Sequence, residues 1–176
     1  SNHTLVLLNG IPINDFSTPT GQYDFGQDFM FNVTQIEVYK GSAGAHFGAD
    51  AIGGAINFVT TVDYENKLSV GGNGNSETIQ GNYAKIINDW HINVQGGTHE
   101  SETVSALSGG TETDGTKNKS VGVNIIKWIT DKLKFRSSLF TRNTFTDLDG
   151  HSLAVETGFS DNSFYAFQTG FDYTTK

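Results

Sequence analysis

The sequence contains no cysteine, two prolines and one methionine among 176 residues. Without cysteine it forms no disulfide and offers no thiolate to a metal. It has no run of eighteen apolar residues, which excludes a transmembrane helix but not a membrane β-barrel, whose strands need only about 9–11 alternating residues. Positive charge is also scarce: 11 Lys and Arg face 19 Asp and Glu, a net charge of −8. The densest basic stretch, Lys132-Leu133-Lys134-Phe135-Arg136, alternates with apolar residues. Phosphate binding needs clustered cations, so a nucleic-acid surface is excluded.

Catalytic patterns are missing as well. His3, His46, His91, His99 and His151 are scattered, with neither an HExxH motif nor paired metal spacing. No Gly-x-Ser-x-Gly and no phosphate-cradling loop occurs. Gly71-Gly72-Asn73-Gly74 has no helix pattern after it and reads as a turn between strands. These absences argue against an enzyme.

What the chain has in excess is glycine and phenylalanine, 21 and 13 residues. Average usage, about 7%, would give roughly 12 glycines. The combination suits a β-rich chain with tight turns and aromatic anchors. A secreted soluble β-sandwich that binds carbohydrate or a protein fits the composition alone almost as well.

Two regimes meet near residue 61. Before it, Leu5-Val6-Leu7-Leu8 reads as a buried strand ending at the turn Asn9-Gly10. Residues 15–26 are rich in Ser, Thr, Pro and Gly and read as a loop, and 28–33 suggests one helical turn before a strand at 35–40. After it, apolar and polar residues alternate with period two, the signature of a sheet with chemically different faces. Trp90, Ile92 and Val94 oppose His91, Asn93 and Gln95. Leu133, Phe135 and Leu139 oppose Lys134, Arg136 and Ser138, and Tyr165, Phe167, Phe171 and Tyr173 oppose Ala166, Gln168, Gly170 and Asp172. This predicts six strands, near 67–73, 77–87, 90–98, 119–128, 132–143 and 164–174. Short connections would alternate with long ones at 99–118 and 144–163, as barrels alternate periplasmic turns with outer loops. Trp90, Trp128, Tyr165 and Tyr173 are expected at strand ends, where amphipathic rings mark membrane boundaries.

The most specific segment is 36–60, IEVYKGSAGAHFGADAIGGAINFVT. It resembles the end of the plug domain of TonB-dependent outer-membrane receptors, through Glu37, Gly41, Gly48, Asp50, Gly53 and Gly54. Lys40 stands where that family usually has Arg, Ser42 where it has Pro, Phe47 where it has Tyr and Ala49 where it has Ser. Lys keeps the charge without the bidentate fork of Arg; Glu37 and Asp50 are its expected partners.

The resemblance implies a β-rich architecture: residues 1–61 as the C-terminal part of a mixed α/β plug, and 62–176 as the first six strands of an open, partial transmembrane antiparallel β-barrel. The chain starts at Ser1 without a leader and stops at Lys176 after an apparent strand, as an internal piece would. Uptake of a large scarce ligand across the outer membrane of a Gram-negative bacterium is implied, driven by the inner-membrane TonB complex, whose contact peptide would lie upstream. Asn9-Gly10-Ile11-Pro12-Ile13-Asn14-Asp15, Asp24-Phe25-Gly26 and Asp147-Leu148-Asp149-Gly150 are most similar to the vitamin B12 group, making cobalamin the expected ligand and a ferric siderophore or other metal chelate the alternative. By the same resemblance Asn14, Thr18, Thr20, Gln22 and Tyr23 would meet the ligand in an apical plug loop. Calcium is the one ion implied, held by Asp114, Asp147 and Asp149 from two outer loops.

Overall fold

The computed structural model describes residues 3–15, 21, 23, 25, 33–60, 65–104, 113–152 and 155–175. They fall into two compact units, one within residues 3–60 and the other within 65–175.

The first unit is a four-stranded sheet. Its strands are β1 (Thr4–Leu8), β2 (Ile11–Pro12), β3 (Val33–Lys40) and β4 (Gly54–Thr60), in the order β2-β1-β4-β3. Asn9 and Gly10, with φ of 52° and 83°, make the left-handed two-residue turn that returns β1 onto β2. β1 runs parallel to β4, with Leu5 opposite Ala55 and Leu7 opposite Asn57, while β3 pairs with β4 antiparallel. Central position explains the unbroken apolar run of β1, since a strand covered on both faces has no solvent side. Leu5, Leu7, Ala51 and Ala55 form the core, with Tyr39 and Phe47 packed against them. Helical structure among the described residues is limited to two 3-10 segments, Gly41–Phe47 and Ala49–Ala51. The helical turn expected at 28–33 falls mostly outside the described residues, and its last position, Val33, opens β3.

The second unit is one antiparallel sheet of six strands in sequence order: β5 (Lys67–Asn73), β6 (Ser76–Ile87), β7 (Trp90–Val104), β8 (Thr113–Trp128), β9 (Leu133–Ser152) and β10 (Val155–Tyr173). β5 and β10 are its two edges. Residues directly opposite in a ladder share a face, so the register sorts the side chains. One face carries Asn82, Asn93, Gln95, Asn118, Ser120, Arg142, Thr144 and Thr146, all buried. The other carries Leu68, Val70, Ile79, Tyr83, Val94, Val121, Leu139, Tyr165, Phe167 and Phe171, all exposed. Asn93 and Asn118 are 0% exposed, whereas Phe167 is 67% and Tyr165 73% exposed. Water would drive the opposite arrangement, because removing apolar surface from it is the main favourable term in folding. A soluble sandwich would have sealed Phe167 inside.

Three expectations need correction. The stretches 99–118 and 144–163 are not long loops: β7 and β8 leave only 105–112 between them, and β9 and β10 continue to Ser152 and Val155. Hydrophobic alternation fades there because both faces turn polar, yet the ladder continues, with Thr146 opposite Ser160 and Asp147 opposite Phe159. Length is thus segregated into long strands rather than long loops. Tyr165 lies in mid-strand opposite Thr141, and Trp128 shares the polar face with its ladder partner Lys134. Trp90, at the start of β7, and Tyr173, at the end of β10, fit a boundary role on the apolar face. Trp90 aligns with Lys127, Phe135 and Phe171 across four strands, with Trp90–Phe135 centroids 6.2 Å apart, Phe135–Phe171 5.4 Å apart, and Lys127 Nζ 4.8 Å from the indole.

Candidate functional site

Close backbone approach explains the glycines of the plug-like signature. Gly54 has φ of 128°, and a β-carbon there would run into the Tyr39 carbonyl oxygen. The Gly53 N–H donates to the His3 carbonyl at 2.7 Å, and a β-carbon on Gly53 would stand 2.9 Å from that same oxygen. Gly41 opens the first 3-10 segment and Gly48 separates the two, with φ of 54° and 95°. Asp50 is exposed in the second segment and Lys40 is exposed at the end of β3.

No ion pair joins Lys40 to Glu37 or Asp50, contrary to the expectation. Residues three apart on a strand point to opposite faces, so Glu37 and Lys40 cannot meet. Glu37 instead accepts from Asn57 Nδ2 at 2.9 Å, from the Tyr39 hydroxyl at 2.8 Å and from Gln35 Nε2 at 3.3 Å. Those bonds favour the carboxylate, and its pKa lies below the ordinary value, with the Asn57 bond the largest cause and Tyr39 the next. The same contact raises the Tyr39 phenol. Asn57 Oδ1 in turn accepts from the Gly10 N–H at 2.9 Å. Beside it, Asn9 Nδ2 donates to Thr60 Oγ1 at 2.8 Å and Asn9 Oδ1 accepts from the Thr60 N–H at 2.9 Å. Asn57 and Thr60 were not singled out from sequence, and Asn9 only as a turn residue; the partners that tie them to that turn lie some fifty positions away, beyond any local pattern.

Of the expected ligand contacts, Asn14 and Tyr23 are described; Thr18, Thr20 and Gln22 lie outside the described residues. Asn14 is buried, with its amide committed to backbone: Oδ1 accepts from the Val6 N–H at 2.7 Å, and Nδ2 donates to the carbonyls of Gly21 and Thr4 at 2.9 and 3.3 Å. Tyr23 is also buried, edge-on to Phe25 at 4.8 Å, and Phe25 meets Phe58 at 6.5 Å. Both therefore root the loop to the sheet rather than present a side chain from it.

On the polar face of the second unit, amides link strand to strand. Asn124 Nδ2 donates to Asn93 Oδ1 at 3.3 Å, Asn93 Nδ2 to Asn82 Oδ1 at 2.6 Å, and Asn82 Nδ2 to the Glu65 carbonyl at 2.7 Å. Asn118 Nδ2 reaches Thr144 Oγ1 at 2.9 Å, and Thr78 Oγ1 lies 2.8 Å from His99 Nδ1. His91 and His99 both occupy this face, as the alternation implied for His91.

Of the expected calcium ligands, Asp114 and Asp147 have described side chains, and they lie on opposite faces of the sheet. Asp147 Oδ2 stands 3.1 Å from where a β-carbon on Gly115 would be, so Asp147 shares the face of Gly115 and opposes its neighbour Asp114. Asp149 is paired with Thr157 in the ladder, and its side chain lies outside those described. Among the described residues no three His, Asp or Glu side chains converge on a metal position.

An open antiparallel sheet with one exposed apolar face, preceded by a small sheet with a parallel pair, has the fold of a barrel-wall segment and a plug. Residues 1–55 match the family model described as the TonB-dependent receptor plug domain. The vitamin B12 transporter BtuB of Photobacterium profundum is 42% identical over 60 residues, which make up 34% of this chain and 10% of that protein. The ferric enterobactin receptor PfeA of Pseudomonas aeruginosa, in a mutant form in complex with enterobactin, superposes with a TM-score of 0.66 at 19% identity, over 82% of this chain and 26% of that one. The siderophore receptor PirA of Acinetobacter baumannii gives 0.61 at 19%, over 82% and 24%. Residues 1–55 are thus similar in sequence to the plug domain of TonB-dependent receptors, and the chain is similar in fold to solved receptors of that kind. It spans about a quarter of the length of these solved receptors.

Proposed function

We propose that this polypeptide supplies plug and barrel-wall strands to an outer-membrane receptor that takes up cobalamin by TonB-dependent active transport, without covalent chemistry. The observation carrying the membrane part is the inverted sheet. Its exposed side chains face lipid, and its amides and hydroxyls face the lumen. Along β6 the positions of the exposed face run from Ile79 through Tyr83 to Ile87, with Lys85 between the last two, roughly 26 Å of strand. At a tilt near 40° that is about 20 Å of height, close to the ~25 Å apolar band of such barrels. The Trp90–Phe135–Phe171 row with Lys127 would mark the periplasmic boundary. A full barrel of this type has about 22 strands around a plugged lumen, so a large ligand needs the plug to move.

Cobalamin is favoured over a ferric siderophore because the relative named for vitamin B12 is matched in sequence, whereas the siderophore receptors share the fold at low identity. The ligand would meet the loop at 15–25, with Thr18, Thr20 and Gln22 the remaining candidates for contact. Equilibrium binding of cyanocobalamin and of ferric enterobactin to the full-length receptor tests the substrate. Saturable cyanocobalamin binding is expected; saturable binding of the siderophore alone would replace cobalamin with the alternative.

A further inference from the structure

The Asn9-Gly10 turn is held by side chains, and one of them is oriented from a distance. The Gly10 N–H has no ladder partner, because the left-handed turn aims it off the sheet; Asn57 Oδ1 supplies its acceptor at 2.9 Å. An asparagine amide can rotate by half a turn and exchange oxygen for nitrogen, which would set a donor against the Gly10 donor. What prevents this is Glu37, directly opposite Asn57 in the ladder. Its carboxylate only accepts, so the flipped amide would present oxygen to oxygen. The carboxylate is itself fixed by the Tyr39 hydroxyl on Oε2 and by Gln35 Nε2 on Oε1.

We propose that Glu37 is a positioning residue for the ligand loop: it selects the amide orientation of Asn57, and Asn57 then anchors the Gly10 end of the segment entering that loop. Gly10 leads directly into β2 and Ile13, which is buried, and the next residue is the Asn14 root. The loop therefore leaves the sheet from two anchors, Gly10 on Asn57 and Asn14 on Val6. Asn9 is anchored independently: its N–H donates to the Phe58 carbonyl at 2.8 Å, with no part played by Glu37. The consequence for binding rests on the proposed role of the loop; the consequence for the turn does not.

The experiment is residue-resolved amide hydrogen exchange on the full-length receptor. In Glu37→Leu the Gly10 amide should exchange about tenfold faster, the scale of one lost hydrogen bond, while the Asn9 amide keeps its rate. Asn57→Ala should reproduce the effect, and the double variant should exchange no faster than Asn57→Ala. Glu37→Gln, which retains one acceptor oxygen, should fall between wild type and Glu37→Leu. Unchanged Gly10 exchange, additive single effects, or equal acceleration at Asn9 would each overturn the proposal. Cyanocobalamin affinity is measured alongside and should weaken in Glu37→Leu and recover in part in Glu37→Gln. A wild-type receptor that binds no cobalamin would remove the ligand assignment and leave the exchange result standing.

Discussion

Asn9 and Thr60 exchange two hydrogen bonds across 51 positions, Nδ2 to Oγ1 at 2.8 Å and Thr60 N–H to Oδ1 at 2.9 Å. The pair ties the first turn of the plug to the last residue of β4. Asn9 suits this place twice over, since asparagine tolerates its φ of 52° and its amide both donates and accepts. Asn9→Ala removes both bonds and leaves a left-handed alanine, so it should destabilise the plug by about 2–4 kcal/mol. Asn9→Gly removes the bonds but relieves the backbone and should cost about 1–2 kcal/mol. Denaturant unfolding of the plug in the full-length receptor measures both; equal costs would mean that the backbone conformation is immaterial.

Gly54 and Gly10 allow a cleaner comparison. Both have positive φ, 128° and 83°, but only Gly54 has backbone in the way of a β-carbon. Gly10→Ala should cost about 1–2 kcal/mol, the strain of a left-handed alanine. Gly54→Ala must also push β4 off the Tyr39 carbonyl and should exceed about 4 kcal/mol, at the severe end for a point substitution. A plug that accepts alanine at 54 as readily as at 10 would contradict the close approach of the two strands.

The order and faces of the second unit were legible in the sequence because every ladder obeys the period-two rule over residues 67–100. Legibility failed where the alternation lost much of its apolar half: Asn143, Asp147, Asp161 and Ser163 take positions on the otherwise apolar face and pair as strand, yet their composition is that of a loop. The placement of the expected calcium ligands was illegible for a different reason. Whether Asp114 shares a face with Asp147 depends on the register of β8 against β9, fixed by the turn after Trp128, where the Ile129 N–H donates to the Leu133 carbonyl at 2.9 Å. No residue type announces that register. In the first unit the signature glycines were legible, but Glu37 was read as a charge seeking a charge. Strand geometry turned it instead towards an amide and a phenol.

The hydrogen bonds of Glu37 to Asn57 and to Tyr39 predict a stability plateau with two opposite edges. Glu37 has a folded pKa below its ordinary 4.5, so its contribution is present above that value and is lost as pH falls through the lower folded one. Tyr39 has a folded pKa above its ordinary 10.0, so its contribution is complete below that value and is lost as pH rises through the higher one. In Tyr39→Phe the alkaline edge should vanish, and the acid edge should move upward, towards the ordinary carboxylate value. Glu37→Gln should lose both edges. The measurement is the plug unfolding midpoint against pH, each variant compared with wild type; an acid edge that survives in Glu37→Gln would assign it to another group.

Neighbouring residues Phe167 and Gln168 test the orientation of the sheet in the membrane. They sit on opposite faces of β10, Phe167 opposite Leu139 and Gln168 opposite Ser138. If the apolar face meets lipid, Phe167→Arg places a cation in the apolar band and should cost about 2–4 kcal/mol when the full-length receptor folds into vesicles. Gln168→Arg puts the same side chain on the polar, hydrated side and should stay within about 0.5 kcal/mol of wild type. A water-facing sheet would reverse the expectation for Phe167, because replacing an exposed aromatic with arginine in water removes a liability rather than adding one. Equal, small effects at the two positions would therefore place both faces in water and end the membrane assignment.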